Sequence, residues 1–98
     1  MARPERILLQ VPVGTGVGRA ETVFRFRDKT VQVSGLFVGS LQLEGSLDGI
    51  DYAAIGGPVT APGLVAVPFT IEFLRVRVTA LTSGAMKVIA AGFDFRAM

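Results

Sequence analysis

No cysteine, no histidine and no tryptophan occur in the 98 residues. Without cysteine there is no disulfide framework, no thiolate metal site and no thiol nucleophile. Without histidine, neither a Ser-His-Asp nor a Cys-His arrangement can be assembled. Charge is scarce as well. Only 18% of the residues are charged and the mean hydropathy is +0.53, the opposite of the balance that keeps a chain disordered. Long apolar runs are also missing: none approaches the roughly 20 residues of a membrane-spanning helix. Ile7-Leu8-Leu9 is too short for the apolar core of a secretory leader, and no small-residue cleavage site follows it closely. These absences predict a protein made and kept in the cytoplasm, with no membrane among its partners.

What remains is apolar and small. The length allows one domain. Half of the residues are hydrophobic and 12 more are Gly, together well above the about 45–50% usual for a globular chain. A domain of this size cannot hide all of that in its own core, so part of the apolar surface is expected against neighbours, in a homo-oligomer. Abundant Ala accounts for some of the excess without any interface. The ten basic and eight acidic residues leave a net charge of only +2. That is no polycation, and no nucleic-acid partner is expected.

Hydrophobic periodicity reads as β throughout. Val, Phe and Thr recur in short runs separated by Gly, Pro, Ser and Asp. Strands are expected over residues 7–13, 21–27, 30–34, 36–38, 41–47, 52–55, 64–67, 72–79 and 86–95. Asp28-Lys29 reads as a tight turn, and Ser46-Leu47-Asp48-Gly49 as another. The segment 72–79 is the clearest, with Leu74, Val76 and Val78 alternating against Phe73, Arg75, Arg77 and Thr79. The last segment is apolar on both faces, so Val88, Ile89, Phe93 and Phe95 are candidates for either core or interface. Roughly eight short strands with turns every 8–12 residues indicate an all-β fold, a small antiparallel β-sandwich of jelly-roll-like type. One domain is assigned to residues 7–98, preceded by a flexible arm over residues 1–6.

Candidate chemistry is sparse. Gly14-Thr15-Gly16-Val17-Gly18 lacks the Lys-Ser/Thr that a phosphate loop requires and is followed by Arg19-Ala20. A dinucleotide fingerprint needs another glycine spacing and a following helix. Glu44 and Glu72 lie on strands but read as solvated outward positions rather than a facing pair. Asp48-Gly49-Ile50-Asp51 lacks the ligand series of a calcium loop. No catalytic residue, cofactor site or metal site is assigned, and the chain is not expected to be an enzyme. The side chains best placed to meet a partner are Arg25 and Arg27, which share a strand face with Lys29, and Arg75 and Arg77 on another strand. Phe24 and Phe26 fall on the face opposite the first set.

One series of segments carries a resemblance. It runs from Ser34 through Gln42-Leu43-Glu44-Gly45-Ser46-Leu47-Asp48-Gly49 to Tyr52 and Ile55. It continues with Phe73-Leu74-Arg75-Val76-Arg77-Val78-Thr79 and ends in Thr82-Ser83-Gly84. Over about the last two-thirds of the chain this resembles small β-sandwich structural proteins of tailed bacteriophages, the kind that decorate heads or accompany tails. The resemblance implies a non-enzymatic virion protein, a capsid decoration or cement protein that bridges capsid subunits. It further implies a homo-oligomer, with a trimer as the natural guess, and the major capsid protein or another virion protein as partner. The arginines would face an acidic shell. A tail or baseplate location is the near alternative. The same pieces are similar to part of discoidin-like and carbohydrate-binding sandwiches, which are longer and use exposed aromatic rings. With Tyr52 the single Tyr and no Trp present, that likeness is the weaker one.

Overall fold

Alternating apolar residues need a second apolar face to bury them, and here two sheets supply it to each other. The computed structural model describes residues 3–94. Its strands are β1 (Arg3–Leu9), β2 (Gly16–Val17), β3 (Glu21–Thr22), β4 (Phe26–Ser34), β5 (Phe37–Ser46), β6 (Ala53–Val59), β7 (Gly63–Val67), β8 (Phe73–Gly84) and β9 (Lys87–Asp94). No helix occurs among the described residues. One sheet has the order β1-β9-β4-β7. The other has the order β2-β8-β5-β6, with β3 also paired to β8.

All pairings are antiparallel and they nest. β1 pairs with β9, β2 and β3 with β8, β4 with β7, and β5 with β6. Taking β2 and β3 as two halves of one interrupted strand, this is a long hairpin rolled into two layers, the connectivity of an eight-stranded jelly roll. The fold class expected from the sequence is therefore the one observed. Every connection except the β5–β6 hairpin and the short β2–β3 interruption passes from one sheet to the other. One end of the sandwich carries the β3–β4, β5–β6 and β7–β8 loops. The opposite end carries the four remaining crossings.

The interruption between β2 and β3 has a steric cause. The Gly18 N–H donates to the Val76 carbonyl at 2.8 Å, and a Cβ on Gly18 would lie 1.9 Å from the Gln10 carbonyl oxygen. Arg19 N–H then donates to Gln10 Oε1 at 2.8 Å. The glycine-rich segment is thus a close backbone crossing and a short strand.

The core lies between the sheets. Leu9, Val31, Val33 and Val88 fill it from one side, and Leu41, Leu43, Leu74 and Val76 from the other. The alternation expected in β8 is observed, with Leu74, Val76 and Val78 inward. In β9 the alternatives divide: Val88 is core, whereas Ile89 and Phe93 lie on the outer face. Phe95 lies outside the described residues. Residues 3–6 of the expected arm are paired in β1, from Arg3 opposite Asp94 onward; Met1 and Ala2 lie outside the described residues.

One local expectation is corrected. Asp28-Lys29 is not a turn between two strands but a bulge inside β4. The register moves from Arg27 opposite Phe93 to Thr30 opposite Ala91, one extra residue on the β4 side. Asp28 takes a positive φ of 52° to make it. The slip turns Lys29 inward, to 6% exposure, away from the face of Arg27. Its Nζ donates to the Phe26 carbonyl at 3.4 Å. Burial pushes the ammonium below its usual range, and nearby Asp28 offsets this in part. Since the folded state disfavours the charged form, stability rises with pH toward the unfolded lysine value, about 10.4. At neutral pH, Lys29→Met is expected to stabilise the fold by about 1 kcal/mol, because an apolar side chain of similar length carries no desolvation cost. Urea denaturation at pH 7 checks the sign.

Candidate partner-contact surfaces

The arginines of β8 sit on the outer face of their sheet, where antiparallel pairing sets Arg75 opposite Glu44 and Arg77 opposite Gln42 on β5. Glu44 accepts from both. Arg75 Nε donates to Oε1 at 2.8 Å and Arg77 Nε donates to Oε2 at 2.9 Å. The Arg75 guanidinium also stacks on Tyr52, 3.6 Å from the ring centroid. Enclosed this way, the Glu44 side chain is only 12% exposed. It is not the solvated residue that its outward position suggested.

Burial by itself raises the Glu44 pKa, but the hydrogen bonds and charges of Arg77 and Arg75 outweigh it and hold the carboxyl below its ordinary value. Such a group stabilises the fold fully above the unfolded Glu value, about 4.3, and loses that contribution as pH falls below it through the lowered folded-state value. Glu44→Gln is therefore expected to cost about 1 kcal/mol at pH 7 and progressively less as the pH falls below the unfolded value of about 4.3. Denaturation curves across that pH range read the difference.

Arg25 and Arg27 lie elsewhere. Arg25 is in the β3–β4 corner, where its Nη1 donates to the Thr22 carbonyl at 3.1 Å and its guanidinium lies 4.3 Å from the Phe26 ring centroid. Arg27 is exposed on β4, opposite Phe93. The four arginines thus divide between the outer face of β8, strand β4 and the β3–β4 corner, on different elements of the two-sheet sandwich. Phe24 and Phe26 divide as well, Phe26 entering the core and Phe24 remaining half exposed.

At the end with the β5–β6 hairpin, Asp48 is used by the turn itself. Its Oδ1 accepts from the Ile50 N–H at 2.8 Å, the Asp51 N–H at 2.9 Å and the Ser46 hydroxyl at 2.9 Å. Those two backbone donors, with Ser46, hold its carboxyl below the usual range. Two open recesses of about 520 and 480 Å³ flank the β7–β8 loop and share Phe69, Thr70 and Ile71. The first is walled mainly by apolar surface, with Asp48 and Asp51 at it, whereas the second mixes apolar residues with Arg27, Asp28 and Lys29. Asp48 and Asp51 belong to one turn, and the Asp48 carboxylate is engaged by that turn's own donors. Among the described residues, no group of three or more side chains is arranged to hold a metal ion.

No family model matches the chain, and no curated protein matches it. The crystal structure of the SPBc2 prophage-derived protein YomS does, with a TM-score of 0.80, 12% identity and coverage of 95% of each chain. The fold is that of a prophage-derived protein. At 12% identity the likeness is one of architecture, so no role for the arginines or the loops passes from one chain to the other.

Proposed function

We propose that this chain is a non-enzymatic structural protein of a tailed-phage virion, a head decoration or cement protein that bridges capsid subunits. The observation that carries the proposal is the match to a prophage-derived protein over 95% of both chains, a correspondence of whole domains. The bacteriophage-like segments read in the sequence agree with it. The Arg75–Glu44–Arg77 face is the candidate contact with an acidic shell. Two cations around one anion leave it net basic, and many copies on a lattice would add weak contacts by multivalency.

Co-sedimentation with the heads and, separately, the tails of the phage carrying the gene tests this. Saturable binding to heads is expected, weakened by Arg77→Gln and strengthened by Glu44→Gln, which leaves both arginines uncompensated. Binding to tails alone moves the protein to the tail or baseplate alternative. Binding to neither particle overturns the virion reading.

A further inference from the structure

The sandwich has four edge strands, and three carry features that prevent further pairing. β1 contains Pro4 and the charged residues Glu5 and Arg6. The edge formed by β2 and β3 is interrupted at Gly18-Arg19-Ala20. β6 contains Pro58, and its register against β5 is broken between Leu41 and Leu43. Proline, charge and bulges are the ordinary means of blunting an edge. β7 has none of them within its five residues, which Pro62 and Pro68 bound at either end. Its sequence is Gly63-Leu64-Val65-Ala66-Val67, uncharged and without Pro. It pairs regularly with β4 on one side over all five residues. On the other side, alternate N–H and C=O groups point away from the sheet.

We infer that β7 is the contact strand of a two-fold dimer, pairing antiparallel with β7 of a second copy about Val65. Self-pairing about that residue places Leu64 opposite Ala66 of the other copy on the outer face, and Gly63 opposite Val67 on the inner face. Off the two-fold axis a large side chain meets a small one, and on the axis Val65 meets Val65 of the second copy. With no charged residue in the strand, nothing like-charged is brought face to face, which is what a second copy requires of an isologous contact. Leu64, 72% exposed in the single copy, gains a neighbour. Each copy has one β7, so the contact closes at two. A five-residue strand is about 17 Å long, so the contact lies well below the roughly 1,200 Å² of a standard interface. The free dimer is therefore of the weak, transient class, with a dissociation constant expected between about 10 μM and about 1 mM.

This inference does not rest on the virion reading, because it is measured on the free protein. Sedimentation velocity from about 10 μM to about 1 mM brackets that constant. Wild type is expected to pass from monomer to dimer. Leu64→Lys with Ala66→Lys places Lys opposite Lys twice and is expected to remain monomeric throughout, a rise of at least about tenfold in the dissociation constant. Leu64→Glu with Ala66→Lys places Glu opposite Lys in this register alone and is expected to restore the dimer. Both positions are exposed, so the melting temperature of each variant checks that the fold is intact. A wild-type monomer over the whole range, a trimer, or a dimer indifferent to the double-Lys change overturns the inference.

Discussion

Gly84→Ala is expected to cost about 4 kcal/mol of folding stability, a large part of the 5–15 kcal/mol usual for a domain. Gly84 ends β8 at a φ of +83°, and a Cβ there would lie 1.9 Å from the Leu36 carbonyl oxygen and 2.7 Å from the Phe37 Cα. The positive φ alone costs an Ala roughly 1–2 kcal/mol. The remainder is steric, and no side chain can rotate away, because the atoms met are backbone. Two crossings between the sheets run together here. The Ala85 N–H donates to the Leu36 carbonyl at 3.0 Å, and Gly35 on the other crossing has a φ of +107° with room for a Cβ only 2.4 Å from the Ala85 carbonyl oxygen. Separating the crossings to admit a methyl group breaks that hydrogen bond and loosens the end of both sheets. Gly56→Ala is the control. Gly56 has a φ of +69° but nothing within 4 Å of its Cβ position, so it isolates the conformational cost at about 1 kcal/mol. Urea denaturation of the two variants separates the effects. Equal destabilisation would mean that the crossing yields freely and that its close approach contributes nothing.

Local patterns made much of the architecture legible. The alternation of Leu74, Val76 and Val78 identifies the inner face of β8 without any partner, and Asp48-Gly49 marks the β5–β6 turn by its own chemistry. The sequence misleads where pairing between distant segments overrides a local signal. Asp28-Lys29 has the composition of a turn, and a positive φ at Asp28 suits a turn or a bulge equally. The pairing of residues on both sides with β9 makes it a bulge and carries Lys29 into the interior. The stretch from Glu21 to Arg27 alternates like one strand. It is instead divided at Val23, whose N–H donates to the Glu72 carbonyl at 2.7 Å as the chain changes sheets. Glu44 illustrates the same limit at the candidate site. Its outward direction follows from alternation, but its enclosure by Arg75, Arg77 and Tyr52 depends on how β5 registers with β8 and where the hairpin returns. A carboxylate two residues before a hairpin turn, with an Arg-x-Arg strand later in the chain, was the available signal, and only the pairing connects them.

Leu43→Ala is expected to destabilise the fold by about 4 kcal/mol, within the 2–5 kcal/mol of buried Leu truncations, whereas Leu64→Ala is expected to change the stability of the single copy by less than about 0.5 kcal/mol. In the sequence the two are alike, each a leucine in a short β segment. In the fold Leu43 has no exposed surface and stands in the middle of its sheet, opposite Val76 on β8 and Ile55 on β6. Both cross-strand neighbours are themselves buried, and the second sheet covers the row from above. Removing three carbons there leaves a cavity that paired strands cannot collapse without breaking their ladders. Leu64 lies on the outer face beside exposed Gln32, where truncation leaves water in its place. Chemical denaturation with equal slopes for both variants and wild type makes the comparison. A loss at Leu43 near that at Leu64 would mean the two sheets do not share one packed core. A loss at Leu64 that appears only at high protein concentration is the form expected if stability there comes from β7 pairing with a second copy.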